Sequence, residues 1–136
     1  MCVGIVGDMY RLSVLERGGL PGAIAGGEMA QELDRPLNAA ALATFRRSLD
    51  GDVIATDDLE YDAARAVWNG IVDRRPALVA RCTDAADVIK AVRFAREQDL
   101  VIAVRAGGHS VGGFSTCDGG IIVDLSRMRE VSVDPQ

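Results

Sequence analysis

The residues best suited to chemistry are a single histidine and the glycines around it. The loop reads Arg105-Ala106-Gly107-Gly108-His109-Ser110-Val111-Gly112-Gly113, with four glycines in seven residues and the only histidine of the chain. Glycines allow positive φ angles and a close approach of the backbone to a ligand. Successive amide N–H groups in such a loop can bind an anion, and Arg105 adds a positive charge. Imidazole is a nucleophile and general base near neutral pH. The pattern favours a phosphate-bearing ligand, with an ordinary turn histidine as the alternative.

The common phosphate-binding motifs do not fit this loop. The dinucleotide-binding pattern G-x-G-x-x-G would need glycine where His109 or Ser110 stands. A Walker loop needs lysine after its last glycine, whereas Phe114 follows Gly113. If the loop binds phosphate, we therefore expect another geometry. Ser110 could donate to a phosphate oxygen or could only satisfy its own loop.

Two helices and a strand are predicted ahead of the sheet that carries this loop. Asn38 is a candidate N-cap for a first helix, which Gly51 should end, and a short strand is expected at 53–55. A second helix should open at Asp57, with Glu60 completing a capping box. Its buried face is predicted to carry Tyr61, Ala64, Trp68 and Ile71.

From residue 77 onward the pattern becomes strand, helix, strand. Apolar runs at 77–80 and 101–104 flank a helix capped by Thr83 or Asp84, and a third strand is predicted at 121–125. Such a unit implies parallel strands joined by a right-handed crossover helix. Runs without alternation suit strands covered on both faces. The loop would then lie at the carboxyl end of a parallel strand, where open α/β sheets bind ligands.

Composition excludes several classes of protein. The chain has 136 residues, 49% of them apolar, and a net charge of −5. This is the size of one domain, with too much apolar sequence for a disordered chain and no apolar run long enough for a membrane span. An acidic chain with scattered arginines is not expected to bind nucleic acid. Three cysteines without a C-x-x-C pair, and a lone histidine, predict no metal site and a cytoplasmic location. Cys82 and Cys117 are interpreted as buried small residues.

The segment from Tyr61 to Asp134 resembles a known family. Its matching pieces are Tyr61-Asp62, Val67-Trp68-Asn69, Arg74-Arg75-Pro76-Ala77, the Arg105 to Ser110 loop, Asp118-Gly119-Gly120 and Ile121 to Ser126. They resemble the N-terminal part of the FAD-binding domain, of the PCMH type, in the berberine-bridge-enzyme-like oxidases, a group within the vanillyl-alcohol-oxidase type of flavoproteins.

This resemblance implies the fold, the cofactor and the binding residues. The fold would be α+β, with a small parallel βαβ sheet and flanking helices. FAD would be the cofactor, its diphosphate held by loop amides, and His109 would bond covalently to the 8α-methyl carbon of the flavin. The cofactor-binding residues would be Arg105, Ala106, Gly107, Gly108, His109, Ser110 and Gly113.

The resemblance also bounds what the chain can do alone. Residues 1–36 are predicted to be a poorly ordered leader, with Met29 as an alternative start, and residues 37–136 the N-terminal portion of the FAD-binding domain. In the family the domain continues further, and a second domain acts on a small-molecule substrate, here an alcohol, amine or sugar. We therefore expect an oxidase fragment that is inactive alone and needs a C-terminal half or a partner chain, with no catalytic base to name. The alternatives are a non-enzymatic nucleotide- or anion-binding module and a remnant without a ligand.

Overall fold

The computed structural model describes residues 37–131, 133 and 134, which form four strands and three helices. The predicted leader, residues 1–36, lies outside the described residues. The elements in chain order are α1 (Ala39–Ser48), β1 (Asp52–Ala55), α2 (Tyr61–Arg65), β2 (Leu78–Arg81), α3 (Ala85–Glu97), β3 (Ile102–Arg105) and β4 (Ile121–Asp124). None of the described helices is long and apolar enough to cross a membrane.

The two longer helices begin where side-chain caps were predicted. The Asn38 carboxamide oxygen accepts from the backbone N–H groups of the first turn of α1, at 3.0 and 3.2 Å. Of the two candidates for α3, Asp84 is the cap, because its carboxylate accepts from the Asp87 N–H at 2.8 Å. Each cap satisfies donors that the helix itself leaves open. Phe45 of α1 and Phe94 of α3 stack with ring centroids 4.2 Å apart, which holds the two helices together.

The prediction for the second helix was wrong in its length and its cap. Helix α2 ends at Arg65, and Glu60, at its N-cap position, makes no side-chain capping bond. Trp68 is 74% exposed and Ile71 is 92% exposed, so neither lies on a buried helical face. The chain leaves the helix at Ala66 in an extended conformation, where the Ala66 carbonyl accepts from Arg105 at 3.2 Å. Tertiary hydrogen bonds have replaced the helical ones that periodicity favoured.

The sheet is mixed, with strand order β1-β2-β4-β3. Strands β2, β4 and β3 are parallel, as predicted, and β1 pairs antiparallel with β2. Strand β4 lies between β2 and β3, so helix α3 connects two strands that are not neighbours. The register places Arg81, Asp124 and Arg105 side by side at the carboxyl ends of the three parallel strands. The predicted α+β class is confirmed.

The core occupies both faces of the two central strands. All four residues of β4 are buried, and one apolar cluster beneath α1 and α3 includes Leu78 and Ile121, while a second beneath α2 includes Val79 and Ile122. Coverage of both faces, as predicted, therefore holds for β2 and β4. It does not hold for β3, whose burial alternates and whose Val104 is 56% exposed. Strand β3 is an edge strand, and the glycine-rich loop begins at its end.

Candidate functional site

The glycine-rich loop leaves the sheet where the sequence predicted, at the carboxyl end of a parallel strand. Strand β3 ends at Arg105, and residues 106–113 follow as an irregular segment. The Arg105 carbonyl accepts from the Leu125 N–H at 2.7 Å, which joins the start of the loop to the residue after β4. The loop therefore begins from a fixed point on two adjacent strands.

Arg105 is held in a buried ion pair directly beneath the loop. Its Nη2 lies 2.7 Å from Oδ2 of Asp124, and both residues are more than nine-tenths buried. Burial alone would raise the pKa of Asp124, but hydrogen bonds from Arg105 and from the Ser126 N–H outweigh it and hold that pKa below its usual value. Arg105 was expected to add a positive charge to the loop. In the structure Asp124 pairs with that charge, so Arg105 also ties the start of the loop to β4.

The loop backbone offers a run of available donors. Among the described residues, none accepts a hydrogen bond from the amide N–H groups of residues 106–112. The next two amides are occupied, since the Gly113 N–H donates to the Ser110 carbonyl at 3.2 Å and the Phe114 N–H to Ser110 Oγ at 3.1 Å. Ser110 thus satisfies its own loop, while its hydroxyl proton stays available. Seven consecutive N–H groups in a glycine-rich turn suit an anion.

Gly107 leaves room for the imidazole of His109. A Cβ at Gly107 would lie 2.8 Å from His109 Cδ2, closer than van der Waals contact allows. Gly108 has a φ of +69°, a conformation that non-glycine residues rarely adopt. The two glycines let the chain turn sharply under the ring, and the His109 side chain is exposed.

Trp68 is the neighbour of His109 that sequence reasoning missed. The two rings meet edge to face, with centroids 6.4 Å apart and an interplanar angle of 61°, within the range of aromatic pairs. The backbone N–H of Trp68 also donates to the Gly108 carbonyl at 3.3 Å. We expected Trp68 in the core with Tyr61, and only Tyr61 is there, with its hydroxyl donating to the Pro76 carbonyl at 2.6 Å. The signal was available, since Asn69-Gly70 is a dipeptide typical of turns.

The two cysteines that the structure describes are buried and free, as predicted. Burial raises the pKa of Cys82 to about 11 and also raises the pKa of Cys117. Because the thiolate is the nucleophilic form, neither residue is prepared for covalent chemistry. The imidazole of His109, by contrast, is exposed.

Comparison with known proteins relates part of the chain to FAD-linked oxidoreductases and supports FAD as the cofactor. Residues 76–136 match the model of the FAD binding domain family. The chain is 46% identical over 87 residues to (R)-6-hydroxynicotine oxidase of Paenarthrobacter nicotinovorans. The aligned residues cover 64% of this chain and 19% of that protein. The chain is also 46% identical over 84 residues to the FAD-linked oxidoreductase hasG of Aspergillus fumigatus, covering 61% of this chain and 18% of the relative.

Solved structures agree with the fold. The crystal structure of 6-hydroxy-D-nicotine oxidase from Arthrobacter nicotinovorans matches with a TM-score of 0.61 at 46% identity, over 64% of this chain and 19% of that chain. The structure of BBE-like 1 from Physcomitrella patens matches with a TM-score of 0.63 at 26% identity, over 68% of this chain and 21% of that chain. The chain spans about a fifth of the length of these relatives. The predicted resemblance, the α+β fold and FAD as cofactor are confirmed.

Proposed function

We propose that this chain, which carries part of the FAD-binding domain of the FAD-linked oxidoreductases, serves an oxidase that takes hydride from a small-molecule alcohol, amine or sugar and holds its flavin covalently on His109. One observation supports this proposal above the others. An exposed imidazole stands within a run of seven backbone N–H groups that have no acceptor among the described residues. This combines a donor set for a diphosphate with a nucleophile that can carry a tether.

The residues present fit the diphosphate of FAD. Amide N–H groups from Ala106 to Ser110 would bind its oxygens, since none of them has an acceptor among the described residues. Gly113, with a φ of +70°, closes the turn through its bond to Ser110. The ion pair of Arg105 with Asp124 would contribute indirectly, by keeping the start of the loop attached to the sheet. Oriented backbone dipoles supply the positive potential here, since the arginine charge is already balanced.

His109 would form the covalent bond through one of its ring nitrogens. In net terms, formation of this bond would replace one imidazole N–H bond and one C–H bond of the 8α-methyl group by an N–C bond. The two hydrogen atoms would leave with dioxygen, the two-electron oxidant, as hydrogen peroxide. When bound, FAD supplies a two-electron acceptor for substrate hydride, while the protein supplies orientation and electrostatics.

Substrate activation would come from residues outside the described part of the chain. The relative (R)-6-hydroxynicotine oxidase indicates by its name an amine-containing substrate, and this supports a small organic substrate here. We expect the 136-residue chain to need the remainder of such an enzyme, as a C-terminal half or a partner chain, for turnover. The free thiols of Cys82 and Cys117 are consistent with a cytoplasmic location.

The test is retention of flavin after denaturation. The full chain is expressed with FAD, precipitated in acid, washed and examined for flavin absorbance and fluorescence. We expect flavin to stay with the wild-type chain and with Cys117→Ala, the matched control for a thiol linkage, and to be lost from His109→Ala.

The other outcomes select the alternatives. Reversible FAD binding without retained flavin would contradict the covalent link and favour a nucleotide-binding module. Absence of any binding of FAD or ADP by the folded chain would favour the remnant. Flavin retained equally by His109→Ala would place the bond on another residue.

A further inference from the structure

The segment after α2 runs along the glycine-rich loop and contacts it in chain order. The residues of this segment, 66–72, are irregular between α2 and Asp73. Three of the contacts are hydrogen bonds: Arg105 Nη1 to the Ala66 carbonyl (3.2 Å), the backbone N–H of Trp68 to the Gly108 carbonyl (3.3 Å), and Asn69 Nδ2 to the Val111 carbonyl (3.1 Å). The fourth is a close approach of the Val72 side chain to Gly113, since a Cβ added to Gly113 would lie 2.8 Å from Val72 Cγ1. Segment 66–72 is therefore a continuous support for the loop.

These contacts decide which side of the loop its donors face. The C=O and the following N–H of a trans peptide point in opposite directions, because the peptide unit is planar. The Gly108 carbonyl is turned toward Trp68, so the His109 N–H points away from segment 66–72. In the same way, the bond from Asn69 to the Val111 carbonyl turns the Gly112 N–H away. Hydrogen bonds to loop carbonyls thus aim loop amides at the opposite side.

The contact between Trp68 and His109 orients the imidazole as well. Because Trp68 is 74% exposed, core packing is not what explains its position, and the edge-to-face contact with the imidazole lies at the surface. Its ring lies on one side of His109, and the imidazole occupies the place that a Cβ at Gly107 would take, 2.8 Å from His109 Cδ2. An imidazole with these two neighbours has fewer orientations open to it than one without them.

We propose that Trp68 and Asn69 are positioning residues for the flavin site: Trp68 holds the imidazole of His109, and Asn69 fixes the Val111 carbonyl, and with it the end of the loop segment whose amides would bind the diphosphate. This inference rests on the proposed function. A positioning role can be told from a role in folding, because the two residues should affect two different measured quantities. Loss of the Trp68 ring changes the rate of covalent attachment, and loss of the Asn69 amide changes the affinity for free FAD.

The test uses the full chain and the fact that it contains one histidine and one tryptophan, so that the NMR signals of each ring are unique. In Trp68→Ala, we expect the His109 ring protons to move toward the shifts of free histidine. The rate of acid-stable flavin incorporation should fall by about 10- to 100-fold, the range that a misplacement of about 1 Å produces. Trp68→Phe, which keeps an aromatic ring, should restore most of the rate. Asn69→Ala should weaken reversible FAD binding by about tenfold, equivalent to one hydrogen bond.

Ile71→Ala is the matched control, because Ile71 is a 92% exposed apolar residue in the same segment. It should leave the histidine signals, FAD affinity and attachment rate unchanged. The proposal is overturned if Trp68→Ala leaves the His109 signals where they are in the wild type, or if Ile71→Ala slows attachment equally. If the wild-type chain binds FAD only reversibly, the covalent function is wrong. The histidine signals and the FAD affinity of Asn69→Ala then still decide whether segment 66–72 positions the loop.

Discussion

Replacing Arg105 with methionine tests whether the buried ion pair anchors the loop. Methionine has a similar length and no charge, so it leaves the buried Asp124 carboxylate with the N–H and the hydroxyl of Ser126 as its remaining donors. The same change removes the hydrogen bond from Arg105 to the Ala66 carbonyl. The variant therefore loses two contacts that tie the end of β3 to β4 and to the segment after α2.

The expected cost follows from the burial of the pair. Breaking a buried pair by removal of one partner costs about 3–5 kcal/mol, because an uncompensated charge stays inside. A domain of this size has a total stability of about 5–15 kcal/mol, so the loss would be a large share of it. With a urea m-value of about 2 kcal/mol/M, a loss of about 4 kcal/mol lowers the urea midpoint by about 2 M.

The assay is urea unfolding followed by circular dichroism at pH 7, with two companion variants. Arg105→Lys keeps the charge but not the planar guanidinium group that reaches two acceptors. Its free energy of unfolding should lie between those of the wild type and Arg105→Met. The double variant Arg105→Met/Asp124→Leu removes both charges and should recover most of the lost stability. A free energy of unfolding for Arg105→Met within about 1 kcal/mol of the wild type would refute this reasoning. So would a double variant less stable than Arg105→Met.

Three further outcomes are expected. Asp87 is fully buried, and both of its carboxylate oxygens accept hydrogen bonds from backbone N–H groups. In Asp87→Asn the NH₂ group would face one of those donors. The free energy of unfolding at pH 7, measured in urea, should therefore fall by about 3 kcal/mol. Burial alone would raise the pKa of Asp87, but these hydrogen bonds hold it well below the usual value, so its contribution is present above about pH 4, and the gap between the variant and the wild type should narrow as the pH falls further. A gap that stays constant down to about pH 2 would contradict this. Gly107→Ala should reduce flavin retention, because the added Cβ would displace the ring of His109. Gly70→Ala is the control, since a Cβ at Gly70 has no atom within 4 Å, and it should leave flavin retention unchanged. Equal retention in the two variants would contradict the close approach of Gly107 to His109. Cys82, with a pKa of about 11, should resist iodoacetamide at pH 8 until the chain unfolds, as peptide mass spectrometry can show, and rapid labelling of the folded chain would contradict its burial.

Local features of the fold were predictable because their causes lie within a few residues. Helices α1 and α3 begin at Asn38 and Asp84, since a short polar side chain can satisfy the open donors of the first turn. The strands at 78–81, 102–105 and 121–124 appear as short apolar runs, and the loop after residue 105 stands out by its glycines. The candidate residues of the loop could therefore be named together from their types and their order in the chain.

The surroundings of the loop could not be predicted in the same way. The helical period continued through Trp68 and Ile71, but the helix stops at Arg65, because residues about 40 positions later supply competing hydrogen bonds. Such partners leave no local signal. The resemblance to flavoproteins marked Trp68 and Asn69 as matching residues without showing that they contact the loop.

The make-up of the loop, an imidazole among glycines after a strand, was determined by the sequence alone, because residue type and spacing are enough to identify it. The tertiary structure decided what surrounds it. Insertion of β4 between β2 and β3 brings Asp124 beside Arg105 and pairs its charge, and hydrogen bonds from segment 66–72 fix the direction of the His109 and Gly112 amides. These arrangements depend on which distant segments pack together, and that depends on the free energy of the whole fold, which no short stretch of residues contains.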